Sequence, residues 1–198
     1  MWPWEHAALG YLLYSLSHRA RGQAPPAELP TVALLFGTQL PDLIDKPLSW
    51  GLGVFRTGSA LGHSLLFAVP IGLLVGVAAV RTDRRALGAG FVVGYWSHLV
   101  GDVVNPLRYG DSLAVDRVLW PFVAQDPYEQ DLGLRRGLVY FGDLFESLLA
   151  IDSVTVVAGY LLLPLATLAL WLADGAPGSG LLGRLAARLR GRLDRERS

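Results

Sequence analysis

The chain has 198 residues, 52% of them hydrophobic and only 17% charged, against about 25% charged in ordinary soluble domains, and its mean hydropathy is +0.39. Acidic and basic residues balance at 17 each, so the overall charge gives no reason to expect a nucleic-acid partner. Cysteine is absent, which excludes a disulfide framework and a thiolate metal site and leaves histidine and carboxylate as ligands for any transition metal.

This composition predicts an all-α integral membrane protein: a multi-spanning helical bundle over residues 1–174, then a linker and tail over 175–198. The opening Met1-Trp-Pro-Trp-Glu-His6 lacks the basic n-region of a secretory signal and is read as mature sequence. Two short apolar segments follow, Ala7 to Ser17 and Thr31 to Ile44, separated by a Pro/Gly-containing linker from Arg19 to Pro30. Three stronger segments come next. Ser64 to Val80 carries no ionisable residue, Ala86 to Gly101 carries only His98, and Ser153 to Ala173 carries none. Together these predict about five membrane-embedded helices. The tight Arg81-Thr-Asp-Arg-Arg85 turn joins the first two strong segments as an antiparallel hairpin. Residues 105–152 form the longest polar stretch and are expected to make a partly structured extramembrane cap. Beyond Gly175-Ala-Pro-Gly-Ser-Gly180, Leu181, Leu182, Leu185, Leu189 and Leu193 recur near helical spacing among arginines, as in a basic amphipathic tail on a lipid surface or a solvated helix.

The positive-inside rule puts the Arg81–Arg85 turn, the arginine tail and Arg19 with Arg21 on the cytoplasmic side. Threading from those anchors brings four polar sites to the non-cytoplasmic face: His6, Asp42 with Asp45, His63, and His98 with Asp102.

Asp42 and Asp45 stand at i, i+3 in Leu40-Pro-Asp-Leu-Ile-Asp-Lys-Pro47, so one helical turn aims both carboxylates the same way, with Pro41 and Pro47 expected to mark its ends. A capped helix end and a metal or acid/base role both fit that pattern. His63, taken alone, fits an interfacial hydrogen-bonded residue, and His6 beside Trp2 and Trp4 fits an aromatic belt. His98 and Asp102 share a helical face at i, i+4. Intramembrane polar contacts average only about 0.6 kcal/mol, so function is favoured there over a structural pair. Three histidines with up to three carboxylates on one side suit Zn²⁺ or a similar divalent ion. No nucleophile elbow, phosphate-binding loop or dinucleotide fingerprint competes with them.

The ordered set of His6, Gly37-Thr-Gln-Leu-Pro-Asp-Leu-Ile-Asp45, His63-Ser-Leu-Leu66, Ser97-His-Leu-Val-Gly-Asp102 and Leu119-Trp-Pro121 resembles the membrane-bound metal-dependent hydrolases, also described as LexA-binding, inner-membrane-associated hydrolases. That family is multi-spanning and distantly similar to the zinc-dependent phospholipase C and nuclease group. The resemblance implies that His6, Asp42, Asp45, His63, His98 and Asp102 are the metal-site residues. Family members often carry His-Arg-Gly-x-Thr-His before Ser-Leu-Leu. Here the run is Gly58-Ser-Ala-Leu-Gly-His63, without the first histidine and the threonine.

The leading expectation is therefore a hydrolase of a lipid or other membrane-associated phosphoester. In it His63, His98 and Asp102, with Asp42 or His6, hold a divalent ion, Asp45 acts as the base that orients or deprotonates the metal-bound water, and the cap shapes the pocket. Two rivals of other classes use the same residues differently: a proton- or ion-coupled carrier, and a non-enzymatic membrane scaffold.

Overall fold

A computed structural model describes residues 1–123, 125–149, 154–181, 183–184, 187 and 190, with side chains for all of these but 147, 148 and 154–159. Among the described residues the α-helices are α1 (Pro3–Ala20), α2 (Glu28–Lys46), α3 (Leu65–Arg81), α4 (Arg85–Val104), α5 (Arg136–Leu149) and α6 (Val154–Ala173), and no strand occurs. The all-helical expectation holds. Of these helices, one is long and apolar enough to cross a membrane: α4 counted through the 3₁₀ turn Asn105–Tyr109. Leu65–Arg81 and the part of α6 from Tyr160 to Ala173 are apolar but shorter, so among the described residues length and composition identify one candidate span.

Each helix end follows from its local sequence. Pro3 opens α1 at a position where its missing N–H is not needed, and Glu5 Oε2 accepts a hydrogen bond from the Trp2 N–H at 2.9 Å. Ser64 caps α3 by accepting from Leu66 N. The expectation that Pro41 ends a short turn fails. Pro41 lies inside α2, which runs on to Lys46 and then widens into a π-helical turn at Pro47–Gly51.

The bundle is built on the crossing of α2 and α4. A methyl group added at Gly94 would lie 2.2 Å from the Leu34 carbonyl oxygen, one at Gly90 2.3 Å from that of Pro30, and one at Gly37 2.4 Å from that of Phe91. The two backbones therefore touch directly, the small-residue packing through which helices associate where the hydrophobic effect gives no driving force. Gly90 and Gly94 are four apart and share one face of α4, the signature of this packing. Tyr11, Tyr14 and Leu34 fill the core on one side of the crossing, and Tyr95, Leu99, Ala68 and Val118 on the other.

At the end of the bundle that carries the Arg81–Arg85 turn, Asp174 closes α6 onto α1. Its side chain is fully buried, accepts from the hydroxyls of Tyr11 (2.8 Å) and Ser15 (2.5 Å), and pairs with Arg19. At the opposite end the cap contains the short 3₁₀ turns Val115–Val118 and Gly133–Arg135 and then α5. Its surface is not the uniformly polar one that its charged residues predict, because Leu107, Leu113, Phe122 and Leu138 are exposed along it. In the tail, Leu182, Leu185, Leu189 and Leu193 lie outside the described residues.

Candidate metal centre

The four polar sites read from the sequence meet at one place. His6 comes from α1, Asp42 and Asp45 from the last turns of α2, His63 from the loop before α3, and His98 and Asp102 from α4. The His63 and His98 Nε2 atoms are 3.1 Å apart, and Asp102 Oδ2 lies 3.3 Å from the first and 3.6 Å from the second. Asp42 Oδ1 is 3.6 and 3.9 Å from the same two nitrogens. His6 stacks on His98 with ring centroids 3.6 Å apart, and its Nε2 is 3.3 Å from Asp102 Oδ1. Two overlapping donor sets have the spacing of a metal site: His6, His98 and Asp102, and Asp42, His63 and His98.

The outer ring nitrogens show which atoms are available. His98 Nδ1 is 2.6 Å from the Thr38 carbonyl oxygen, which only accepts, so Nδ1 carries the proton and Nε2 of the neutral ring presents a lone pair. His63 Nδ1 is 2.7 Å from Asp45 Oδ2, with the same consequence. Two lone pairs facing each other at 3.1 Å need a cation between them or beside them. A proton on His63 is one such cation. Burial opposes charging His63, yet its hydrogen bonds to Asp102 and Asp45 outweigh burial and raise its pKa to about 9. His6 is buried with neither ring nitrogen hydrogen-bonded, an orphaned state that a metal bond would relieve. Imidazoles whose second nitrogen is fixed by a carboxylate and by a backbone carbonyl are the usual form of metal-binding histidine. The donor set thus fits a metal ion.

Residues 1–176 match the profile of a family described as YdjM inner membrane protein. The chain belongs to the YdjM family. This membership makes it a membrane protein and agrees with the membrane part of the sequence reading. No curated protein and no solved structure matches the chain.

In this YdjM chain Asp45 sits apart from the other donors. It is fully buried, and its oxygens accept from the backbone N–H of Ala60 (2.7 Å), Gly62 (2.8 Å) and His63 (3.1 Å) as well as from His63 Nδ1. With both oxygens so engaged it positions the loop and the ring of His63. Gly62 is required by the same arrangement, since a Cβ there would lie 2.7 Å from the Pro41 carbonyl oxygen. A threonine at this position has no room. At Gly58, the other departure from the pattern, a Cβ would meet the Tyr128 hydroxyl at 2.9 Å, and that hydroxyl accepts from Gly58 N and Trp50 Nε1.

The centre opens into a cavity of about 680 Å³ lined by Asp42, Asp102, Lys46, Arg117, Trp50 and Phe141 among others. Lys46 also pairs with Asp42, so a cation and a candidate ligand share the cavity floor. The α-amino group of Met1 lies 2.7 Å from Asp102 Oδ1. Several contributors escaped sequence reasoning. Thr38 acts through its backbone carbonyl, which side-chain chemistry does not announce. Buried Glu5 pairs with partly exposed Arg108 at 2.7 Å, and Arg108 in turn stands over the Tyr160 ring of α6. The only signal for this pair was a carboxylate one residue before His6.

Proposed function

We propose that this protein is a multi-pass membrane hydrolase that uses a divalent metal, Zn²⁺ by donor chemistry, to cleave a phosphoester of a lipid or membrane-associated substrate. The observation that carries this reading is the pair of Nε2 atoms facing each other at 3.1 Å, each on a ring whose Nδ1 is already bonded. His6, Asp42, His63, His98 and Asp102 hold the ion. Asp45 is a positioning residue rather than the base first expected, because its oxygens are engaged with the loop around His63. A divalent ion held there supplies Lewis-acid charge and a water nucleophile near neutral pH.

A phosphoester is supported by the positive charge that Lys46 and Arg117 offer in a lining that also holds Asp42, Asp102 and Asp143 and the rings of Trp2, Trp50, Tyr128 and Phe141; a bound cation would offset the carboxylates. A multi-pass arrangement is supported by outward-facing Leu73 and Leu74 on α3, Leu162 and Leu165 on α6, and Phe36 on α2, all exposed on the bundle. Arg81, Arg84 and Arg85 lie at the end of the bundle remote from the centre, which favours a non-cytoplasmic site.

The test is metal analysis of detergent-purified protein beside His98→Ala and Asp42→Ala, together with hydrolysis of a chromogenic phosphodiester and of phospholipid vesicles. The expected result is at least one ion per chain in the parent, lost in the variants along with hydrolysis. Sub-stoichiometric metal in the parent rejects the reading.

A further inference from the structure

α5 is amphipathic yet leaves its apolar side uncovered. Leu134, Leu138, Phe141, Phe145 and Leu149 recur at intervals of four, three, four and four residues, so they form one stripe. They are 68, 75, 56, 57 and 73% exposed. Arg135 and Glu146 lie along one flank of the stripe, and Asp143 on the far side of the helix. A 14-residue helix is marginal in water by itself and is normally held by burying its apolar face. Here Gly137, Tyr140 and Leu144 face the cavity, and the stripe beside them stays more than half exposed, with Phe141 alone making a ring contact, to Trp2, among the described residues.

We propose that this stripe is seated in the lipid bilayer, with α5 lying in the membrane interface as a lintel over the cavity, so that the mouth of the cavity opens to lipid at Phe141. Three observations select lipid over a partner protein or a second copy. The chain belongs to an inner membrane family, so a bilayer is present. Leu107, Leu113 and Phe122 of the same cap are likewise exposed apolar residues. Phe141 also packs edge-on against Trp2, which stacks on Trp4, and paired indoles mark the headgroup level of a membrane. Phe141 belongs to both surfaces, lining the cavity and being more than half exposed in the stripe. A lipid headgroup entering from the bilayer passes that residue first. The polar flank of α5 carries Glu146 beside Arg135, so apolar burial rather than attraction to anionic headgroups holds the helix down. The membrane contact stands independently of the metal-hydrolase reading; only the identity of the entering molecule as substrate rests on it.

The absence of native cysteine allows single nitroxide labels at Leu138→Cys, Phe141→Cys, Phe145→Cys, Asp143→Cys and Glu146→Cys in protein reconstituted into phosphatidylcholine vesicles. Power saturation with oxygen and with a neutral nickel chelate reads the depth of each label. Labels at 138, 141 and 145 are expected to collide several-fold more with oxygen than with the chelate, and labels at 143 and 146 the reverse. Equal chelate access at all five positions overturns the proposal. So does shielding of the stripe from both reagents, which would mean a protein covers it. The readout needs no metal and no turnover, so its failure leaves the metal reading standing, and failure of the metal analysis leaves the depth result intact.

Discussion

His63 Nδ1 and Asp45 Oδ2 are joined at 2.7 Å, and the same carboxylate holds the backbone N–H groups of Ala60, Gly62 and His63. One buried side chain therefore fixes both the path of the loop and the orientation of the ring it carries. Replacing Asp45 with Asn keeps the shape but removes the charge that favours the Nδ1–H tautomer. Metal affinity is expected to fall by about 10- to 100-fold, the usual cost of losing an outer-shell partner. Competition with a chromogenic chelator measures it, and affinity equal to the parent would make Asp45 purely structural.

Metal binding should release a proton. In the ion-free protein burial opposes protonation of His63 but is outweighed by its bonds to Asp102 and Asp45, so its pKa is raised to about 9. A metal needs the neutral ring. Below that pKa the ion must displace the proton, so affinity rises with pH by about tenfold per unit and flattens once pH exceeds it. Calorimetric titration near neutral pH in two buffers of different ionisation enthalpy reads the proton directly. Identical heats in both would show that His63 is already neutral.

Gly94→Ala is expected to damage the centre without touching it. The added methyl would sit 2.2 Å from the Leu34 carbonyl oxygen, so α4 must move away from α2. Overpacking of this kind costs about 1 to 3 kcal/mol, and here it also separates His98 and Asp102 from Asp42. Thermal unfolding in detergent should report the lower stability, and metal analysis the emptied site. A variant that kept the full metal content would show that the crossing tolerates more slack than the contact implies.

Asp174→Ala should do the opposite. It strands the buried hydroxyls of Tyr11 and Ser15 at the far end of the bundle, a loss of about 1 to 3 kcal/mol, while leaving the metal donors in place. A lowered unfolding temperature with unchanged metal content is the expected pair of results. Loss of metal as well would mean that α1 moves as a rigid rod and carries His6 with it.

The convergence of His6, Asp42, His63, His98 and Asp102 was legible because each is an ionisable group bordering an apolar segment, and burial without partners would be costly there. The helical class and the positions of α3, α4 and α6 were legible from charge-free runs. The role of Asp45 was not, because i, i+3 spacing says that two carboxylates share a face but not which of them an incoming loop will cover. Pro41 misled for a related reason: a proline is a helix breaker by local rules, whereas here the rest of α2 is held against α4 through Gly37. The exposed stripe of α5 was hidden by the charged residues interleaved with it, which made the segment read as polar until its helical phase was known.

The glycine seam between α2 and α4 also bears on which ion the centre would accept. With no side chains between the two backbones, repacking cannot widen or narrow the gap, so the bite between Asp42 on one helix and His98 and Asp102 on the other is set by van der Waals contact of main-chain atoms. His63 alone among the five donors rides on a loop rather than a helix. An ion wanting bonds of about 2.3 to 2.6 Å in place of about 2.0 to 2.2 Å would have to be met by movement of that loop, which Asp45 restrains with four hydrogen bonds. Size discrimination would then reside in a carboxylate that never touches the ion.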